Sequence, residues 1–189
     1  SLKNFEQKGF LVIVKEIGDR PGNSFPSHQT NVGGTLYFSA TDGVNGDELW
    51  KTDGTTAGTT RVKDIRVGSS GSYPGYLTNV GGTLYFVASD GVSGRELWKS
   101  DGTEAGTVRV KDIGLGSSSA RYLTNVGGTL YFVADDGVSG VELWKSDGTE
   151  AGTVRVKDIR AGAGARCELE LRNVEVTLFA SANDSVSGV

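Results

Sequence analysis

NVGGTLYFVASDGVSGRELWKSDGTEAGTVRVKDI, residues 79–113, decides the fold, because the chain carries it three times. It returns at 125–159 as NVGGTLYFVADDGVSGVELWKSDGTEAGTVRVKDI, and an earlier copy at 31–65 reads NVGGTLYFSATDGVNGDELWKTDGTTAGTTRVKDI. Asn31, Asn79 and Asn125 head the copies at spacings of 48 and 46. A period of this length means supersecondary units that are stacked or set around an axis.

Each unit reads as four short strands. Leu77 to Val80 is the first, and Gly81-Gly82 after it is a hairpin signal, since both glycines can take positive φ. Thr83 to Ser89 is the second. Its Leu84, Phe86 and Ala88 face one way and Tyr85 and Val87 the other, so both faces are apolar and the strand is buried on both sides. After the turn Asp90 to Gly94 comes Glu96 to Lys99, the third strand. Asp101 to Gly106 turns again, and Val108, Val110 and Ile113 mark an amphipathic, outer fourth strand. No stretch has helical periodicity. Four strands in about 47 residues predict an all-β chain, a β-propeller of four-stranded antiparallel blades. A β-solenoid is the runner-up, but its rungs are usually shorter.

The arithmetic extends to both ends. Asn173-Val174 and Thr177-Leu178-Phe179 match Asn125-Val126 and Thr129-Leu130-Tyr131, and Val14 to Ile17 matches Val62 to Ile65. The expectation is one repeat domain over 1–189 with about four blades. Its units lie near 31–65, 79–113 and 125–159, and a composite last unit is divided between 1–17 and 173–189.

Composition narrows the class. The 189 residues suffice for one domain with a sizeable core. Twenty-nine Gly against three Pro fit many tight turns. Net charge is −4 with the signs interspersed, so nucleic acid is not expected as a partner. The longest apolar run, Phe10 to Val14, is strand-sized, so no membrane insertion is expected. Cys167 is the single cysteine and His28 the single histidine, which excludes a disulfide within the chain and makes a small semi-buried thiol the simplest reading of Cys167. The chain has no Met, as expected of a processed product or a fragment.

The string Glu-Leu-Trp-Lys-Ser-Asp-Gly-Thr-Glu-Ala-Gly-Thr at 96–107 and 142–153, with its variant Glu48 to Thr59, closely resembles the ELWxxDGT tandem-repeat family. That resemblance implies propeller-like repeats in large bacterial proteins that are secreted or attached to the cell surface, with no settled activity. It covers 31–159 strongly and the termini weakly, since Ser1 to Gly9 lacks both the Glu-Leu-Trp and the Asp-Gly-Thr strings.

Most recurring residues have structural explanations. Trp50, Trp98 and Trp144 fill the wedge between blades. Asp53, Asp101 and Asp147 open Asp-Gly-Thr turns and accept from nearby backbone N–H groups. Asp42, Asp90 and Asp136 begin a Gly-Val-(Asn/Ser)-Gly turn that could be read as a calcium loop. It holds at most two carboxylates, so a braced turn is preferred and calcium is kept as the one candidate cofactor. Acids copied into every blade suit a scaffold, whereas a catalytic centre breaks the repeat. Function is therefore sought where copies differ, in the connections 18–30, 66–78, 114–124 and 160–172. Phe25, His28, Ser72, Tyr73, Tyr76, Arg121 and Tyr122 are the candidate ligand-binding residues, although Tyr76 and Tyr122 could equally plug the core. The expectation is a non-catalytic module that recognises glycan or protein at a cell surface. A purely structural segment of a larger adhesin-like protein and a hydrolase on a propeller are the alternatives. A homo-oligomer, or a place in a larger assembly, is compatible with blades that all resemble one another.

Overall fold

The computed structural model describes residues 13–18, 23–114, 116–157, 171–174 and 177–180. Among these the protein is all-β. Strands β1 (Ser27–Val32), β2 (Thr35–Thr41), β3 (Asp47–Thr52) and β4 (Thr60–Lys63) form the first sheet. The second is β5 (Gly75–Val80), β6 (Thr83–Ser89), β7 (Arg95–Ser100) and β8 (Val108–Lys111). The third is β9 (Arg121–Val126), β10 (Thr129–Asp135), β11 (Val141–Ser146) and β12 (Val154–Lys157). All three are antiparallel meanders with strands in chain order. A hairpin of β13 (Leu171–Val174) and β14 (Thr177–Ala180) repeats the inner pair, with Val174 opposite Thr177 as Val126 is opposite Thr129. The expected pieces at 1–12 and 181–189, Cys167, and the connection over 160–170 lie outside the described residues.

The hairpin signal is explained by the backbone. Gly81 and Gly82 have φ of 59° and 86°, the paired left-handed values of a two-residue type I′ turn, and Asn79 Oδ1 accepts from Gly82 N at 3.0 Å. The same asparagine reaches across to the preceding sheet, donating from Nδ2 to the Asn31 carbonyl at 3.2 Å; Asn125 does so to Asn79 at 2.9 Å.

The core lies between sheets. Tyr37, Leu49, Val62 and Ile65 of the first sheet pack against Leu84, Phe86, Ala88 and Trp98 of the second. Tyr85, Val87, Leu97 and Val110 of the second meet Leu130, Phe132, Ala134 and Trp144 of the third. The central strand is thus buried on both faces, as its unbroken apolar run predicts. Each tryptophan packs backwards, Trp98 and Trp144 onto the preceding sheet and Trp50 into a cluster with Ile17 of the N-terminal segment. Polar latches tighten each interface. Lys51 Nζ donates to the Gly102 carbonyl and Lys99 Nζ to the Gly148 carbonyl, both at 2.8 Å. Lys63 Nζ and Lys111 Nζ reach the Thr107 and Thr153 carbonyls at 2.9 and 3.0 Å. Two lysines of one sheet therefore hold the Asp-Gly-Thr loop of the next.

Candidate functional site

The site begins with a buried acid. Glu48, Glu96 and Glu142 are fully buried in the third strand of each sheet. Glu48 accepts from Ile65 N at 3.0 Å, Arg66 N at 3.3 Å, Ser72 N at 3.0 Å and Ser72 Oγ at 2.6 Å. Glu96 likewise accepts from Ile113 N at 3.2 Å and Ser118 N at 2.8 Å. Burial pushes both carboxyls above the ordinary glutamate value, against the pull of these donors. Glu48 and Glu96 each pin both ends of the connection leaving their own sheet, so the loop enters the next sheet at a set place. Tyr73 N donates to Asp47 O at 3.1 Å, and Ser89 N to Ser72 O at 2.9 Å, which sutures the loop between two sheets.

Beyond that anchor the chain turns left-handed twice. Phe25 and His28, Tyr73 and Tyr76, and Ser119 and Tyr122 have φ between 43° and 57°. None is glycine, and each such residue costs about 1–2 kcal/mol. The second of each pair lies where the inner strand breaks register with its neighbour, between Ser27 and Thr30 and between Gly75 and Thr78 in the first two sheets. A bulge re-aims a side chain out of the sheet. Here it explains why β5 starts at Gly75 rather than at the expected Leu77: pairing resumes behind the bulge, with Gly75 opposite Val87. Thr78 Oγ1 and Thr124 Oγ1 brace it by donating to the Tyr76 and Tyr122 carbonyls at 2.9 and 3.0 Å.

The rings so aimed are open to solvent. Phe25 is 67% exposed, Tyr73 53%, and Tyr76 and Tyr122 42% each, so the two tyrosines are not core plugs. A cavity of about 480 Å³ opens where the first and second sheets meet. Phe25, His28 and Asp47 line it from one side, and Tyr73, Tyr76 and Arg95 from the other. Gly75 keeps the floor low: a Cβ there would stand 3.5 Å from Arg95 Nη2 and 3.9 Å from His28 Nε2. Arg95 is fixed by donating from Nη1 to Tyr73 O at 2.9 Å, and burial lowers its pKa. Tyr76 continues the row to Tyr122, edge to face at 6.0 Å, and the Arg121 guanidinium lies 5.7 Å from the Tyr122 ring centre.

The structure therefore brings Phe25, His28, Tyr73 and Tyr76 together and sets Tyr122 and Arg121 beside them. Ser72 is a correction. It is fully buried, and its hydroxyl serves Glu48, so it cannot meet a ligand. The recurring aspartates are engaged locally. Asp90 Oδ1 accepts from Val92 N at 2.9 Å and Ser93 N at 2.7 Å, and its Oδ2 lies 3.5 Å from Arg109. Asp42 and Asp136 repeat this with Arg61 and Arg155. Burial opposes ionisation at all three, yet the backbone donors and the arginine hold them below the ordinary aspartate value. Asp53, Asp101 and Asp147 accept from the hydroxyl and the N–H of Thr55, Thr103 and Thr149. A Cβ on Gly106 would overlap the Asp101 carboxylate, which explains the Gly of Glu-Ala-Gly-Thr. Among the described residues no group of three or more His, Cys, Asp and Glu side chains could hold a metal ion.

Sequence reasoning missed Asp47 and Arg95. They occupy one repeat position, with Val141 as the third, immediately before the glutamate of the repeat. Variation inside a nearly invariant string was the signal. It also missed the glutamate clamp, because a fully buried acid is rare enough to be read as surface.

The fold and site define an all-β repeat protein with an aromatic cleft between adjacent sheets. No family model matches the chain, and no curated protein does. Among solved structures it is similar to Bacteroides ovatus Xyloglucan PUL GH43B, at 14% identity and a TM-score of 0.43, over 84% of this chain and 35% of that one. The chain thus spans about a third of that protein's length.

Proposed function

We propose that the protein is a non-catalytic binding module that recognises a glycan through the cleft between its first two sheets. In this reading the sheets are blades of a propeller with about four units, the last divided between the two ends of the chain, and the module works at a cell surface. The observation that carries it is the repeated left-handed bulge at His28, Tyr76 and Tyr122. Strain at the same place in three sheets, in side chains that do not fill the core, is maintained for what those side chains touch. Exposed rings offer the apolar face of a sugar a flat surface, and Asp47, Arg95 and His28 supply hydrogen-bonding groups around it. The cavity volume is that of a small-ligand site.

Hydrolysis is disfavoured by the same inventory. A pair of carboxylates flanking the bond is needed, and among the described residues that line the cavity Asp47 is the one carboxylate. The protein-binding reading rests on one observation: Val44, Val92 and Val138 stand exposed at the tips of the turns between the second and third strands. A glycan array followed by calorimetry tests the choice. Binding to an oligosaccharide that falls about tenfold or more in Tyr76→Ala and in Arg95→Ala is expected. No oligosaccharide bound, or affinity indifferent to both changes, sinks the glycan reading.

A further inference from the structure

Two arginines reach the aromatic row by different routes. Arg95 of β7 is half-buried and docks its Nη1 on the Tyr73 carbonyl at 2.9 Å. Arg121 of β9 docks its Nη1 on the Ser119 carbonyl at 3.1 Å. Tyr73 and Ser119 hold one repeat position, and both are left-handed, with φ of 51° and 49°. The arginines do not hold one position. Val141 stands in the third sheet where Arg95 stands in the second, and Gly75 stands in the second where Arg121 stands in the third. Successive units thus set a guanidinium on the same carbonyl from different strands. A contact copied only with the scaffold would use one position.

Neither guanidinium has an acidic partner among the described residues, whereas Arg61, Arg109 and Arg155 each pair with a turn aspartate. Asp47 shares the cavity with Arg95 without forming an ion pair to it. Arg95 Nη2 stands 3.5 Å from the place a Cβ on Gly75 would take, and His28 Nε2 stands 3.9 Å from the same place. Two nitrogens therefore converge over a residue that has no side chain. A half-buried guanidinium without a counter-ion is less stable than a paired one. Its planar fork suits a carboxylate, which accepts two N–H groups at once.

We propose that the glycan taken by this cleft is acidic, an oligosaccharide of uronic acid residues, with one sugar carboxylate seated over Gly75 between Arg95 and His28 and another at Arg121. This rests on the glycan reading and names its sugar class. Tyr76 and Tyr122, edge to face at 6.0 Å, offer rings along the run, and Asp47 accepts from sugar hydroxyls.

Calorimetry on the full chain at physiological salt tests it. The probes are hexamers of galacturonate, glucuronate and mannuronate, each beside its carboxyl-reduced form, and hexaglutamate as an acidic peptide. At least one uronate is expected to bind about tenfold or more tighter than its reduced form and than hexaglutamate. Arg95→Gln is expected to abolish that preference, and Arg121→Gln to reduce it. Gly75→Ala keeps every charge and fills the seat, so the uronate is expected to bind several-fold more weakly. Gly75 is not left-handed, and the added Cβ would meet nothing closer than 3.5 Å, so this variant keeps the fold. Equal or tighter binding of the reduced sugars overturns the proposal and leaves the glycan reading standing. An acid preference that survives both Arg95→Gln and Gly75→Ala, or hexaglutamate bound as tightly as the uronates, overturns it as well. If none of these sugars binds, the proposal falls, and the glycan reading is then decided by the neutral sugars of the array.

Discussion

Two kinds of unusual residue carry the account. The first is the left-handed aromatic. Tyr73 and Phe25 hold φ of 51° and 43° at exposed positions, so strain is not offset by burial. Glycine at either place removes that strain. Tyr73→Gly and Phe25→Gly are expected to raise stability in urea by about 1 kcal/mol, net of the extra freedom glycine gives the unfolded chain, while weakening ligand binding. A loss of stability would mean that the rings serve packing. The second is the glutamate clamp. Glu96→Ala leaves the Ile113 and Ser118 N–H groups buried without an acceptor, and a loss of about 3 kcal/mol is expected in chemical denaturation, with Glu96→Gln intermediate. The clamps and the turns respond to pH in opposite senses. Glu48 and Glu96 are raised by burial, so their contribution is full below the ordinary glutamate pKa and declines as pH rises through the folded value. The turn aspartates are lowered, so theirs is full above the ordinary aspartate pKa and is lost as pH falls through the folded value. Melting temperature should therefore drop below about pH 4, and Asp101→Asn should flatten that limb. An unchanged limb would show that the Asp-Gly-Thr turn gains nothing from the charge.

At the scale of the element, the strands were legible in sequence because period-two apolar runs and Gly-Gly turns both encode them. β6 has the expected bounds, Thr83 to Ser89. The inner strands were not, because a bulge leaves no mark in an apolar pattern: Tyr76 reads as a strand residue whether its ring points into the core or out of it. Nor could the string Glu-Leu-Trp-Lys show that its lysine serves the following unit, a contact 51 residues away for Lys51 and Gly102. Lys99→Ala is expected to cost about 2 kcal/mol and Trp98→Ala about 3–5 kcal/mol, both read by urea unfolding. Since the aspartate turns are braced by backbone and arginine, EDTA should leave the melting temperature unchanged. A fall on chelation, reversed by calcium, would return Asp42, Asp90 and Asp136 to the role of ligands.

At the scale of the molecule, three near-identical sheets form a scaffold whose recurring acids, lysines and tryptophans hold one unit to the next. Several positions that differ between copies lie at the mouth between sheets: Phe25 against Tyr73 and Ser119, His28 against Tyr76 and Tyr122, Asp47 against Arg95 and Val141. Four of the seven candidate residues named from sequence line that mouth because connections are where repeats diverge. Asp47 and Arg95 escaped because they sit inside the repeat, and Ser72 misled because a loop serine can be the clamp's partner. The claim that this mouth is a glycan site is most directly tested by titrating isotope-labelled protein with the oligosaccharides that bind on the array. Amide shifts confined to Phe25–His28, Asp47, Tyr73–Tyr76 and Arg95 are the expected result. Shifts centred instead on the Asp101-Gly102-Thr103 turns, or none at saturating sugar, would contradict it.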